Sequence, residues 1–328
     1  MSEIHISVLA KEVLEAFSVF KNQKNLIYFD GTYGRGGHFR LIQNEFHPAQ
    51  SYITDQDVVA IEAARQEWKT SVQANQIKIF HQNFAEFAQS FSQLALEKMH
   101  MVLLDLGVSS PQLDQAERGF SFNKDGPLDM RMNQTAKTTA ADLINNLEAD
   151  ELNQLFKSYG EIFHSSRVVR AIVNDRQTKP FETTLQLAQL IERVDGWQKK
   201  GFHPATQYFM ALRLVVNREL EVVETALPLL MHELQDGGRI AVITFHSLED
   251  RLVKNLFKDS ELGFLVNKKV IVPTEEECKM NPRSRSAKLR IFQKGAPPIK
   301  PDKFALRRAQ KKDAMNNDDS DSSDRNVE

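Results

Sequence analysis

The sequence lacks the residues that would staple it together or carry it into a membrane. Cys278 is its only cysteine, so neither an internal disulfide nor a cysteine-rich zinc site can form. No apolar run approaches the roughly 18 residues of a membrane span. The opening Met1-Ser2-Glu3-Ile4-His5 has no basic stretch leading into an apolar one, the pattern of a secretory leader. No internal repeat is visible. Together these absences point to a cytoplasmic, metal-independent protein without a membrane partner.

What is present is ordinary for a globular chain: 41% hydrophobic and 26% charged residues over 328 positions. That length suffices for one large domain or two smaller ones with a well-buried core. The net charge of -2 conceals segregation. Residues 279–312 hold twelve Lys or Arg against the single acid Asp302, whereas 313–328 hold six acids and one Arg. A basic strip on an otherwise acidic chain is the footprint of a protein that meets phosphate backbones, or else a solvated surface segment. The Asp-, Asn- and Ser-rich 313–328 reads as a disordered acidic tail.

Apolar runs alternate with helical stretches in the first third. Leu26–Phe29 stops at Asp30-Gly31, Ser51–Thr54 ends at Asp55, Ile77–Phe80 forms a third run, and Met101–Leu104 ends at Asp105. Helical spacing fills 38–46 and 57–70. Strands separated by helices imply right-handed crossovers and a parallel sheet. From 113 to 203 no buried strand is evident, and helical stretches cover 138–158, 163–176 and 183–194. A longer helical region spans 205–235, with Pro228 as its expected break. Arg239–Phe245 then resumes the α/β pattern. The expected architecture is a discontinuous α/β domain (1–112 and 204–312) with a helical substrate-recognition domain (113–203) inserted after the fourth strand.

Chemistry enters at Asp30-Gly31-Thr32-Tyr33-Gly34-Arg35-Gly36-Gly37-His38, which follows the first strand and opens a helix. Glycines there permit positive φ and let a ligand lie against the backbone. Asp55, nineteen residues after Gly36, ends the second strand where a dinucleotide fold places the carboxylate that accepts ribose hydroxyls. Asp57 is an alternative to it. Phe84 could pack on an adenine or simply fill the core. The pair of features does not separate a nicotinamide cofactor from S-adenosylmethionine, because both carry an adenosine.

The loop Asp105-Leu106-Gly107-Val108-Ser109-Ser110-Pro111-Gln112 leaves the fourth strand at the ligand-binding edge of such a sheet. It loosely resembles the short acid-or-serine and proline loop of enzymes that methylate exocyclic amines of bases. It lacks the second glycine of a serine-hydrolase elbow. A base amine is a poor nucleophile because its lone pair is delocalised into the ring. Acceptors on its N–H bonds free that pair, and the protein must then align nitrogen and methyl carbon at roughly 3 Å.

The run Leu103–Asp114, then Ala116-Glu117-Arg118-Gly119-Phe120-Ser121-Phe122 and Asp125-Gly126-Pro127-Leu128-Asp129-Met130-Arg131-Met132, resembles the ribosomal RNA small-subunit methyltransferase H (MraW) family. So do Asp30–His38, His203–Thr206, Thr244–Arg251 and Asn281–Ser286, in the family's order, from about residue 5 to 295. The resemblance implies a class I S-adenosylmethionine-dependent methyltransferase fold, Rossmann-like and doubly wound, with an inserted all-helical domain. It implies methylation of the N4 of a cytidine in the decoding region of 16S rRNA, with the small ribosomal subunit as partner and a homodimer left open. Its cofactor positions fall on Gly36, Gly37, His38, Asp55, Phe84, Asp105 and Gln112. Asp105, Ser109, Ser110, Pro111 and His246 are the catalytic candidates. Arg118 and Arg131 read as RNA phosphate contacts or as fold-holding ion pairs, and Arg283, Arg285, Lys288 and Arg290 as residues tracking the RNA backbone. The chain departs from the family at Tyr159-Gly160-Glu161-Ile162, where a second acid is usual, in the turn Phe46–Gln50, and in its acidic tail.

Overall fold

Four apolar runs, three of them stopping at an aspartate, become parallel neighbours in one sheet. The computed structural model describes residues 7–196 and 203–297. The first half contains α1 (Ala10–Phe17), β1 (Ile27–Asp30), α2 (Gly37–Phe46), β2 (Gln50–Asp55), α3 (Val58–Glu67), α4 (Lys69–Gln73), β3 (Ile77–His81), α5 (Phe84–Ser90), β4 (Met99–Asp105) and α6 (Ser110–Asp114). Helices α7 (Ala140–Asn146), α8 (Ala149–Gly160), α9 (Ser166–Asp175), α10 (Thr184–Asp195), α11 (Ala205–Val216) and α12 (Glu219–His232) lead to β5 (Leu234–Thr244). The last elements are α13 (Ser247–Asp259), β6 (Gly263–Leu265), α14 (Glu275–Met280) and β7 (Lys288–Lys294).

The strand order is β3-β2-β1-β4-β5-β7-β6. β1 to β5 pair in parallel, and β7 runs antiparallel between β5 and β6. This is the class I methyltransferase arrangement. After β3 the chain crosses back over β1 and β2 to lay β4 on the other side of β1. The order reverses there, so a crevice opens beyond the carboxyl ends of β1 and β4. Alternate residues of each strand feed opposite cores. Phe29, Leu104 and Val242 pack under α5, α12 and α13, while Tyr28, Leu103 and Ala241 pack under α1 and α2. The larger of these side chains contribute about 1.5–3 kcal/mol each on burial.

The buried side chains of a third core fall between Phe120 and Leu212, among them Leu128, Met130, Ile144, Phe156, Val169, Leu187, Tyr208 and Leu212, with Val108 and Leu113 packed against it. No strand occurs among the described residues of that stretch. The helical core reaches past the boundary expected at residue 203, because α11 turns Ala205, Tyr208, Phe209, Ala211 and Leu212 into it. Contacts nevertheless join the described residues as far as Gly295 into one compact unit.

Several details differ from the sequence reading. Pro228 lies inside α12 and is not the break. The chain turns at Asn217-Arg218, where Asn217 Nδ2 donates back to Arg213 O (3.0 Å) and across to Met130 O (2.8 Å), and Arg218 takes a left-handed φ of 50°. The helix expected over 57–70 is two, α3 and α4. Asp57 stands before α3 as its cap and accepts Val59 N–H at 3.1 Å. Strands β6 and β7 were not expected. Met1–His5, the acidic tail 313–328 and the basic residues beyond Pro297 lie outside the described residues. No helix among the described residues is long and apolar enough to cross a membrane.

Candidate active site

The glycine loop is pinned to the strands on both sides of β1. Gly31 N–H donates to Leu103 O (3.0 Å) and Thr54 Oγ1 donates to Gly31 O (3.0 Å). Thr32 Oγ1 accepts Asp105 N–H at 2.6 Å, and Tyr33 N–H donates to Thr54 O at 3.2 Å. A Cβ on Gly31 would run into Leu104 and press on Phe84, so only glycine fits there. Gly36 holds a φ of 70° before α2, and a Cβ there would strike the Tyr33 ring. Its role is to turn the chain. Gly37 and His38 face the cleft, and Gly36 does not.

Three aspartates close the parallel strands. Asp30 is buried and accepts Tyr28 O–H (2.9 Å) and Thr32 N–H (3.1 Å). Burial raises its carboxyl to about 7, against those hydrogen bonds. Asp55 accepts Gly34 N–H on one oxygen and Asp57 N–H on the other, both at 2.8 Å. Burial raises it to about 6. Asp105 is raised furthest, to about 8, first by burial and then by the charges of Asp30 and Glu249. One of its oxygens, Oδ1, is buried with no hydrogen-bond partner among the described residues.

The segment after Asp105 turns into α6 at Ser109. Gln112 reaches back from the first turn, its Oε1 accepting Ser109 N–H at 2.9 Å, and its Nε2 donates to Asp57 Oδ2 at 2.9 Å. Pro111 occupies that first turn, where a missing N–H costs nothing.

Together these pieces wall a cleft of ≈ 670 Å³, large enough for a drug-sized ligand. Of the expected residues it brings together Gly37, His38, Asp55, Phe84, Asp105, Ser109, Ser110 and Gln112, with Arg283 at its margin. Two catalytic candidates stand outside its wall. Pro111 shapes the helix start. His246 caps α13 with its Nε2 2.9 Å from Glu249 Oε1. Thr32, Gln56 and Met132 also line the cleft, and sequence reasoning missed them. Thr32 carried a signal within the glycine loop and Met132 at the end of the run Asp125–Met132, whereas Gln56 carried none.

Several RNA-contact candidates are corrected by burial. Arg118 is 4% exposed and ion-paired to Asp57 at 2.7 Å. Arg290 is 6% exposed and donates to both oxygens of Asp250. Neither guanidinium can meet a phosphate in this conformation. Arg131 is spent on Asp129 (2.8 and 2.6 Å) and Ala136 O (2.6 Å). Lys288 Nζ lies 3.4 Å from Asp250. Arg283 and Arg285 remain exposed, Arg283 in an ion pair with Asp114.

S-adenosylmethionine carries an adenine, a ribose diol and an ammonium, and the cleft residues fit all three. Phe84 supplies an apolar wall at the start of α5, Asp55 a carboxylate at the end of β2, and Asp105 Oδ1 an unsatisfied buried acceptor. No group of His, Cys, Asp or Glu among the described residues is placed to hold a metal.

Known proteins resemble this sequence along most of its length. A ribosomal RNA small subunit methyltransferase H of Bdellovibrio bacteriovorus is 59% identical over 293 residues, covering 89% of this chain and 88% of that protein. One from Idiomarina loihiensis is 43% identical over 308 residues, covering 88% and 96%. An rRNA methylase structure from Streptococcus thermophilus aligns over 88% of this chain and 98% of its own, at 9% identity and a TM-score of 0.42. The sequence profile of the MraW methylase family matches residues 2–295, and this chain belongs to that family.

Proposed function

We propose that this protein transfers the methyl group of S-adenosylmethionine to the exocyclic N4 of a cytidine in the decoding region of 16S rRNA. The small ribosomal subunit in the cytoplasm is its substrate. The observation that carries the reading is Asp105. It ends β4 with an unsatisfied buried oxygen, and Ser109 and Ser110 follow it in the same cleft wall. The ribosomal RNA named for the relatives from Bdellovibrio bacteriovorus and Idiomarina loihiensis supports the RNA.

When bound, the cofactor supplies a methyl carbon already activated by its sulfonium. The chain's own residues do the rest. Asp55 accepts the ribose hydroxyls and Phe84 packs on the adenine. Asp105 receives the ammonium. The carbonyls of the 105–110 turn, with the Ser109 and Ser110 hydroxyls, accept the N–H bonds of the cytosine amine and free its lone pair. A cytidine must leave its stack to reach that turn, at a cost of a few kcal/mol, least where the strand is already unpaired. The helical domain between β4 and β5 holds the RNA around the flipped base, and Arg283 and Arg285 meet its phosphates.

The test is transfer of labelled methyl from S-adenosylmethionine to unmodified small subunits, with the modified base mapped. Label at the N4 of a cytidine is expected. Label absent from cytidine sinks the proposal.

A further inference from the structure

The motif Arg118-Gly119-Phe120 with Asp125–Met132 has no direct place in the cleft chemistry apart from Met132. Its folding says what it does. Gly119 takes a φ of 73°, and a Cβ there would fall inside the van der Waals shell of Pro127 O. A Cβ on Gly126 would collide with Ala116 O. Met130 N–H donates to Arg118 O at 3.1 Å, Leu128 N–H to Glu182 O at 2.9 Å, and Thr184 N–H to Gly126 O at 2.9 Å. The loop is thus closed on itself and tied to α10 of the helical domain. Behind the cleft wall it places one buried guanidinium against Asp57, itself a wall residue.

Arg118 Nη1 donates to Asp57 Oδ2 at 2.7 Å, and its Nη2 donates to the carbonyls of Arg131 and Met132, both at 3.1 Å. Asp57 Oδ2 also accepts Gln112 Nε2, and Gln112 Oε1 accepts the Ser109 N–H. The Asp57 N–H fixes Asp55 Oδ1 at 2.8 Å, and Asp57 Oδ1 starts α3. Arg118, Asp57 and Gln112 are all buried. Asp57 therefore touches both sides of the cleft: its backbone N–H holds the ribose-binding acid, its carboxylate holds the amine-facing turn through Gln112, and Arg118 neutralises and aims that carboxylate. A buried carboxylate without its partner would turn toward water, release Gln112 and shift the Asp57 backbone whose N–H holds Asp55. The planar fork serves the carboxylate and two carbonyls at once, which an ammonium on a flexible stem does less well.

We infer that Arg118 is a positioning residue of the methyl-transfer reaction, acting through Asp57 and Gln112 on Asp55 and Ser109, and not an RNA contact. The inference rests on reading the cleft as the S-adenosylmethionine site. It also makes the helical domain part of the cofactor pocket, since the loop that carries Arg118 is anchored there.

The experiment compares the unaltered protein with Arg118→Lys and with Asp57→Asn, which keeps the shape and removes the charge. Three quantities are read: S-adenosylmethionine affinity by calorimetry, the single-turnover methyl-transfer rate on small subunits at saturation, and small-subunit affinity as a function of salt. Both variants should weaken cofactor affinity and slow the saturated rate by on the order of tenfold to a hundredfold. Small-subunit affinity and its salt slope should stay put. A third variant, Arg118→Met, removes the charge as well as the fork, and Arg118→Lys should retain more of the rate than it does. A change in melting temperature with cofactor affinity and rate within about twofold of the unaltered protein overturns the inference. If Arg118→Lys does not fold, Asp57→Asn alone decides by the same readings. Failure of the unaltered protein to bind S-adenosylmethionine would overturn the cleft reading and this inference together.

Discussion

Asp105 Oδ2 lies 3.6 Å from His38 Nε2, bridging the end of β4 and the first turn of α2. The imidazole stands close to the carboxylate, yet burial and the charges of Asp30 and Glu249 still raise Asp105 to about 8. At neutral pH the ligand-free protein therefore carries a proton on Asp105. An ammonium placed against the unsatisfied Oδ1 favours the ionised form and expels that proton. Calorimetry of S-adenosylmethionine binding in buffers of different ionisation enthalpy should show release approaching one proton at about pH 7 and fading above about pH 9. Asp105→Asn should abolish the release and weaken binding. An enthalpy indifferent to the buffer would refute the pairing.

The same raised carboxyls set how the ligand-free fold responds to pH. A carboxyl whose folded value exceeds its unfolded 3.8 binds its proton more tightly in the fold, so its contribution is complete at low pH. It is lost as pH rises through about 7 for Asp30 and about 8 for Asp105. Asp129 and Asp250 are depressed, chiefly by Arg131 and Arg290 working against burial, and act in the opposite sense below the ordinary carboxylate range. Between about pH 5 and 9 the melting temperature of the ligand-free protein should fall. Asp105→Asn should flatten part of that slope and raise the value at pH 8. A melting temperature that climbs across this window in the unaltered protein counts against the assignment.

Glycine substitutions should separate crowding from backbone strain. Gly119→Ala and Gly126→Ala push a methyl into backbone carbonyls that cannot step aside, and each should cost roughly 1–3 kcal/mol or more. Gly237 has a φ of 81° but nothing within 4 Å of a Cβ, so Gly237→Ala should cost only about 1–2 kcal/mol of left-handed strain. Chemical denaturation of the three variants tests the order. Equal costs at all three positions would mean the loop at 116–132 is less tightly closed than described.

Basic residues near the carboxyl end should divide by burial. Arg290→Ala leaves the half-buried Asp250 beside only Lys288 and should cost about 1–3 kcal/mol. Arg285 is exposed, so Arg285→Ala should leave stability within about 0.5 kcal/mol and lower the salt slope of RNA binding by about one. If Arg285→Ala leaves the salt slope unaltered, the exposed arginine does not contact phosphate.

Much of the α/β half was legible because its strands announce themselves. Leu26–Phe29, Ser51–Thr54 and Met101–Leu104 are apolar runs stopped by aspartates, and the structure places Asp55 and Asp105 in the wall of one crevice with Asp30 buried beside them. β7 was not legible. Lys288-Leu289-Arg290-Ile291-Phe292-Gln293-Lys294 shows a basic pattern, and only the carboxylate of Asp250 on a distant helix makes Arg290 a core residue. Arg118 failed for the same reason, since its partner Asp57 lies 61 positions away. Pro228 misled in the opposite direction. Proline discourages a helix locally, but α12 keeps Ala226, Leu227, Leu230 and Met231 buried on both sides of it. Glu161, in a segment that departs from the family, ends α8 with a φ of 52° and receives Ser247 Oγ and Arg251 Nη2 at 2.7 and 2.8 Å. That link between distant segments is invisible to local pattern.

The strand that completes the sheet arrives almost last. β5 keeps one edge unpaired until Lys288–Lys294 has been made, and β6, although earlier in the chain, reaches the sheet only through β7. During synthesis the nascent protein must therefore carry an open, apolar strand edge for some fifty residues of elongation, the state most exposed to mispairing with neighbouring chains.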